Sequence, residues 1–158
     1  MVQGGNSKIC VMKRIQRKRT KGWKMPDNCK YVGRPGPWGN IFQVVEMERY
    51  DGRKETPYTV WRVVLHERSR HAESILTRTC RYSYPEKVLA QAAAVECYRK
   101  YHGIHPDEPH SLAGESFREH VRMDLSKYDS LACWCAEGEP CHADVLVEIV
   151  EQGPKEFY

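Results

Sequence analysis

The segment CWCAEGEPCH, residues 133–142, sets Cys133, Cys135, Cys141 and His142 close together in the chain. Thiols and an imidazole at that density can hold a soft metal ion, supply a nucleophile, or wall an anion-binding pocket. If the segment begins as a strand, Cys133 and Cys135 share one face and Trp134 takes the other. Pro140 suits the first turn of a following helix, where its missing N–H has no partner to lose. Cys141 and His142 then fall at a helix N-terminus, whose free N–H groups and dipole favour a thiolate or a ligand phosphate or carboxylate. Asp144 follows in the first turns of the same helix. The spacing C-x-C-x5-C-H is unlike the usual C-x2-C knuckle, and the adjacent Cys141 and His142 would point about 100° apart on a helix. No metal ion and no other cofactor is therefore expected. The plain alternative is that Cys133 and Cys135 are buried as small hydrophobes.

A second stretch with chemical potential is YVGRPGPWGNIF, residues 31–42. Gly33, Gly36 and Gly39 let a backbone come close to a ligand. Arg34 follows a strand end, where it can pair with phosphate or carboxylate. Asn40 both donates and accepts, as a base-reading or water-positioning group must. Trp38 and Phe42 offer stacking faces. The plain alternative here is a Pro/Gly loop pinned by its tryptophan.

The charge is uneven. The chain carries a net +4, but Lys8, Lys13, Arg14, Arg17, Lys18, Arg19, Lys21 and Lys24 precede the first carboxylate, Asp27. Those eight of the 25 basic residues leave 17 basic against 21 acidic residues in the rest of the chain, a net −4 there. The positive charge is a patch, with Trp23 among it. Arg14, Arg17, Lys18, Arg19, Lys21 and Lys24 are the candidates to neutralise phosphates, and Trp23 to stack or wedge. The scattered His66, His71, His102, His105 and His110 show no ligand spacing and are expected mostly at the surface.

These residues need elements to position them. Residues 1–8 are polar and expected to fray. Strands are expected in KICVMKRIQ, KYVG, IFQVVEMERY and YTVWRVVLHERS, the last ambiguous with helix but rich in β-branched residues. The clearest helix is YPEKVLAQAAAVECYRKYHG, with Val88, Leu89, Ala92, Val95 and Cys97 at near-helical spacing and Gly103 at its end. LAGESFREHVRMDL is a second helix, SLACWC a short strand, and PCHADVLVEIVEQG a helix ending at Gly153. The order implies an α/β fold, a central and largely parallel sheet flanked by helices, as one domain over residues 9–158. In such sheets the ligand crevice lies beyond the carboxyl ends of the strands. The two chemical stretches follow two strand ends, so both are expected at one crevice. No apolar run approaches the ~18 residues of a membrane span. The N-terminus has no secretory pattern, and seven cysteines make no disulfide framework. A reducing, cytoplasmic setting is expected.

The pairing of YVGRPGPWGNIF with LACWCAEGEPCHADVL, preceded by RIQRKRTKGWKMP, resembles a family of small uncharacterised domains found in phages and bacteria. The family pattern is roughly G-R-x4-G-N-P-F followed by C-W-C…C-H-x-D-x-L. The likeness covers about residues 14–42 and 125–150, and Ile41 stands where the family usually has proline. More loosely, a glycine-rich strand end early and a strand–loop–helix with histidine late is similar to the uracil-DNA glycosylase superfamily. It is similar also to an anti-phage DNA glycosylase acting on glucosylated hydroxymethylcytosine. The superfamily's first-motif Asp or Asn has no equivalent beside Gly33, where Arg34 stands instead.

That resemblance implies an enzyme that flips a modified base out of double-stranded phage DNA and cleaves its N-glycosidic bond. His142, Asp144 and Asn40 would carry the chemistry. Gly33, Arg34, Trp38, Gly39, Phe42 and Cys141 would hold the substrate. Two other readings stay open: a hydrolase or deoxyribosyltransferase-like enzyme on free nucleotides, and a zinc-stabilised nucleic-acid-binding module without catalysis.

Overall fold

The computed structural model describes residues 11–53, 56–66, 72–79, 83–107 and 111–153. The polar leader 1–8 lies outside them, as do His71 and His110. Strand β5, Ser130–Cys133, is buried at every position, as a short apolar strand must be when it is central. It pairs in parallel with β1, Lys13–Gln16, on one side and with β2, Cys29–Tyr31, on the other. The chain thus lays down the two outer strands first and returns about a hundred residues later to fill the gap between them.

The strand-like stretches between β2 and the helices form a different unit. β3, Phe42–Arg49, and β4, Tyr58–Leu65, make an antiparallel two-stranded sheet of their own and do not extend the parallel one. Their alternation exposes one face to water, which a central parallel strand does not do. A short helix that the sequence pattern did not announce, α1 at Glu73–Thr79, follows the hairpin. Helix α2 runs over Lys87–Tyr101, α3 over Leu112–Leu125 and α4 over His142–Glu151.

Helix α2 joins two cores. Ala90, Ala94 and Cys97 pack with Phe42 and Val63 of the hairpin, while Tyr98 packs with Leu125, Leu131, Leu146 and Val32 around the parallel sheet. A helix buried on two sides has no single apolar stripe. Hence Val88, Leu89 and Ala92, expected inside from their spacing, are exposed, while the small Ala90 and Ala94 are buried. Leu131 and Leu146 are fully buried, each stabilising the fold by about 1.5–3 kcal/mol by leaving water. Among the described residues no helix is long and apolar enough to cross a membrane.

Two histidines expected at the surface belong to this packing. His105 is buried against Glu96. His102 stacks on Phe117, with ring centres 3.8 Å apart. Burial, and then nearby His142, push the His102 imidazole down from its ordinary 6.5 to about 4. Between pH 6.5 and about 4 the unfolded chain therefore takes up a proton that the folded chain refuses. Stability contributed by the neutral ring is present above that window and lost as pH falls through it. His102→Gln is expected to flatten this part of the stability–pH profile in denaturant titrations. An acid limb as steep as the wild type's would contradict it.

Candidate functional site

Because β1, β5 and β2 are parallel, their carboxyl ends open on one side of the sheet. The loop after β2 and the loop after β5 meet there, as expected, around a cleft of about 480 Å³. One wall is Tyr31, Gly33, Arg34 and Asn40, continuing into Phe42, Gln43 and Val44. The second is Cys133–Cys135 and Glu139–His142, and the third is the α2 face bearing Lys87, Gln91, Ala94 and Val95.

The β2 loop is held from behind. Trp38 Nε1 donates to Asp124 Oδ2 of α3 at 3.0 Å, its ring meets Phe117 edge-on, and its carbonyl accepts from Tyr98 Oη at 3.0 Å. Asn40 Nδ2 donates to the Ala94 carbonyl at 3.0 Å, and its Oδ1 accepts from Phe42 N at 2.9 Å. Gly39 leaves no room for a side chain, since a Cβ would lie 2.8 Å from Arg34 N. Three sequence expectations change here. Trp38 and Gly39 shape the loop from outside the cleft lining, and Asn40, although at the wall, spends both ends of its amide on the fold. Phe42 is at the cleft but is 3% exposed and packs on Tyr101. Arg34 and Gly33 stay at the cleft, where the Arg34 carbonyl accepts from Tyr31 Oη at 2.9 Å.

The β5 loop is clamped by Arg14. Its guanidinium donates to the carbonyls of Ala136 at 3.1 Å and Glu139 at 3.2 Å, and pairs through Nε with Asp144 Oδ1 at 2.7 Å. Arg14, expected to meet phosphate, is instead 12% exposed and committed to its own chain. The same contact turns Asp144 away. Its carboxylate, expected to be catalytic, is half in solvent and is not among the residues that line the cleft. Glu139 is the carboxylate at the cleft, the sole one among the described lining residues. Its Oε2 accepts from Gln91 Nε2 at 2.8 Å. Glu139 stands two residues before Cys141, the cap of α4, and the sequence pattern did not mark it. Gln91 Oε1 is buried and accepts no hydrogen bond from a described residue. Lys87 and Gln91 sit one turn apart on α2 and carried no motif that would have marked them.

At the N-terminus of α4, Cys141 is the capping residue, its Sγ accepting from Ala143 N at 3.4 Å. His142 is buried, and its Nε2–H donates to the Val32 carbonyl at 2.9 Å, which leaves Nδ1 as the lone-pair nitrogen, 3.8 Å from Cys141 Sγ. The spacing puts Cys133 and Cys135 on one face of a strand and lets Cys141 and His142 diverge, and the structure adds Cys141 to the pair. β5 ends at Cys133, the chain bends at Trp134 and Cys135, and the three sulfurs of Cys133, Cys135 and Cys141 lie within 4.8 Å of one another. They titrate together. Hydrogen bonds from Cys135 and Cys141 hold the Cys133 thiol far below its usual range. The bond to Cys133 pushes Cys135 up to about 11, and the bonds to Cys133 and Cys135 also push Cys141 up.

The family model described as Domain of unknown function (DUF4326) matches residues 15–152, a span that takes in both loops and the helices between them. The chain belongs to the DUF4326 family. No curated protein and no solved structure matches it. In this DUF4326 chain the basic segment reaches the cleft through Trp134. The indole is 38% exposed, and the guanidiniums of Arg17 and Arg19 each lie 4.8 Å from its ring centre. Arg17 also lies 4.8 Å from the Tyr31 ring. Lys18, Lys21 and Lys24 are exposed and Trp23 is half-buried.

Proposed function

We propose that the protein is a DNA glycosylase, a hydrolase that takes a flipped, modified base into this cleft and cleaves its N-glycosidic bond, leaving an abasic site. The observation that carries this reading is Trp134. It lines the cleft and at the same time bears two guanidiniums of the basic segment, so phosphate-binding charge and a base-sized pocket are continuous. A free nucleotide, with its phosphates on one sugar, would not need a segment that carries Arg17, Lys18, Arg19, Lys21 and Lys24 together. Double-stranded DNA with modified bases, of the kind phages carry, is the proposed substrate, and a reducing cytoplasm the proposed setting.

The chemistry asks for two opposite charges. As the C1′–N bond breaks, its electron pair leaves with the base, the sugar turns cationic, water adds at C1′ and the base takes up a proton. A carboxylate at the sugar stabilises the cation and orients the water, and here that group is Glu139 in place of Asp144. The N–H groups of the first turn of α4 and the Arg34 guanidinium suit the departing anion. Gln91 Nε2 donates to the Glu139 carboxylate and orients it at the cleft. His142 holds the α4 terminus against β2 through Val32.

Binding gives a first check. Neutralising Arg17, Lys18, Arg19, Lys21 and Lys24 is expected to weaken binding to all duplexes and to lower the salt slope by about one for each phosphate that the protein no longer neutralises. Unchanged affinity and slope in a folded variant would remove the basic segment from the interface. Incubation with modified and unmodified duplexes, followed by alkali, tests the catalytic claim.

A further inference from the structure

The excision chemistry uses none of the three sulfurs, yet the fold brings them together from two elements and the bend between them. We propose that Cys133, Cys135 and Cys141 bind one Zn²⁺ ion through three thiolates, with the fourth position of the ion open to the cleft.

The distances fit such an ion. Two thiolates about 2.3 Å from a zinc ion at a tetrahedral angle stand about 3.8 Å apart. Cys133 Sγ and Cys135 Sγ are 3.8 Å apart, and all three sulfurs lie within 4.8 Å of one another. That spacing is too long for a disulfide, and it leaves room for one ion and not for a multi-iron cluster. Three soft ligands select zinc over magnesium or calcium. The surroundings favour thiolates. Cys141 caps α4, where the helix dipole and the Ala143 N–H face its sulfur. Arg14 grips the backbone of the 135–139 loop and fixes the path that presents Cys135.

The open position follows from where the three sulfurs sit. Cys133 and Cys141 are buried and Cys135 half-buried, and all three line the cleft. Among the described residues no fourth His, Cys, Asp or Glu atom lies with them inside the same 4.8 Å. Three protein ligands and one free position is the arrangement of zinc sites that bind a water or a substrate atom, whereas structural sites are closed by four. The site stands on the sulfur geometry and does not depend on what the cleft processes.

Elemental analysis of protein purified without added metal and then dialysed is expected to find about one zinc per chain. Exchange for Co²⁺ should give sulfur-to-cobalt charge-transfer absorption together with the visible bands of a four-coordinate ion, and added azide should shift those visible bands. Cys135→Ser, at the half-buried ligand, should weaken zinc binding by more than the roughly 10–100-fold that an outer-shell partner is worth. Cys29→Ser, away from the cluster, should leave it unchanged. Wild-type protein that takes up neither Zn²⁺ nor Co²⁺, or a Cys135→Ser protein that holds zinc as tightly as wild type, would overturn the site. Cobalt bands indifferent to azide would overturn its open position. None of these readouts involves base excision.

Discussion

Glu139→Gln is expected to lower single-turnover base excision by ~100-fold or more, the usual range for one acid–base or charge-stabilising group. Duplex binding should stay near the wild-type value. The substitution keeps the shape and the polar contact with Gln91, and removes only the charge that would face the sugar cation. Asp144→Asn is the matched control. That carboxylate is half in solvent and outside the cleft lining, and Arg14 keeps its backbone acceptors Ala136 and Glu139 when the charge on Asp144 is removed. Its loss should leave excision close to wild type. Rapid-quench measurements on both variants separate the two carboxylates. If Asp144→Asn abolished excision and Glu139→Gln did not, the assignment of the carboxylate would be reversed.

Gly114→Ala should be among the most destabilising single methyl additions in the chain. Gly114 is buried in the first turn of α3, and a Cβ there would fall on the Gly103 carbonyl at the end of α2. The obstacle is backbone, so no side chain can swing away. Gly103 cannot move aside freely either. Its φ of +64° is the left-handed region, and its own Cα faces Ser111, which caps α3. Overpacking of a core usually costs about 1–3 kcal/mol, and an immovable neighbour places this case at about 3 kcal/mol or more. At this chain length that is a fall in Tm of roughly 10 °C. The consequence reaches the site, because α3 carries Asp124, the anchor of Trp38 behind the cleft loop. Thermal or denaturant unfolding checks it, and a Tm within a degree or two of wild type would show that the helix corner yields.

The parts of the fold that were legible in the sequence are those governed by local pattern. The turn chemistry around residues 33–40 and the helix stop at Gly103 mark where elements end, whereas Pro140, expected in the first turn of the last helix, lies before its cap Cys141. The convergence of the two loops followed from the rule that ligands sit beyond the carboxyl ends of parallel strands. What was not legible depends on partners far away in the chain. A period of two announces β3 and β4 as strands but cannot say that they pair only with each other. Helix α2 hides its role because burial on two sides erases the stripe by which a helix is read.

The same holds within the site. Asp144 and Glu139 are equally plausible carboxylates near a helix start. What separates them in the structure is Arg14, which arrives from β1 and pairs with Asp144, while Glu139 lines the cleft. The C-x-C-x5-C spacing puts Cys133 and Cys135 on one face of a strand but does not place Cys141 beside them. The three converge because the strand stops at Cys133 and the chain bends. Asn40 has the right chemistry to read a base, but a loop of glycines and prolines has few side chains with which to anchor itself, and Asn40 and Trp38 are the ones available.

The most direct test is the release of a base from intact duplex. Wild-type protein is incubated with duplexes carrying unmodified, hydroxymethylated or glucosylated hydroxymethyl cytosine, and the strands are then treated with mild alkali and resolved by length. A glycosylase of this kind should leave strand breaks at the modified positions in at least one of these duplexes, with the free base released in equal amount and both lost in Glu139→Gln. Intact strands in every duplex, from a protein that binds them and is folded, would contradict the proposed activity.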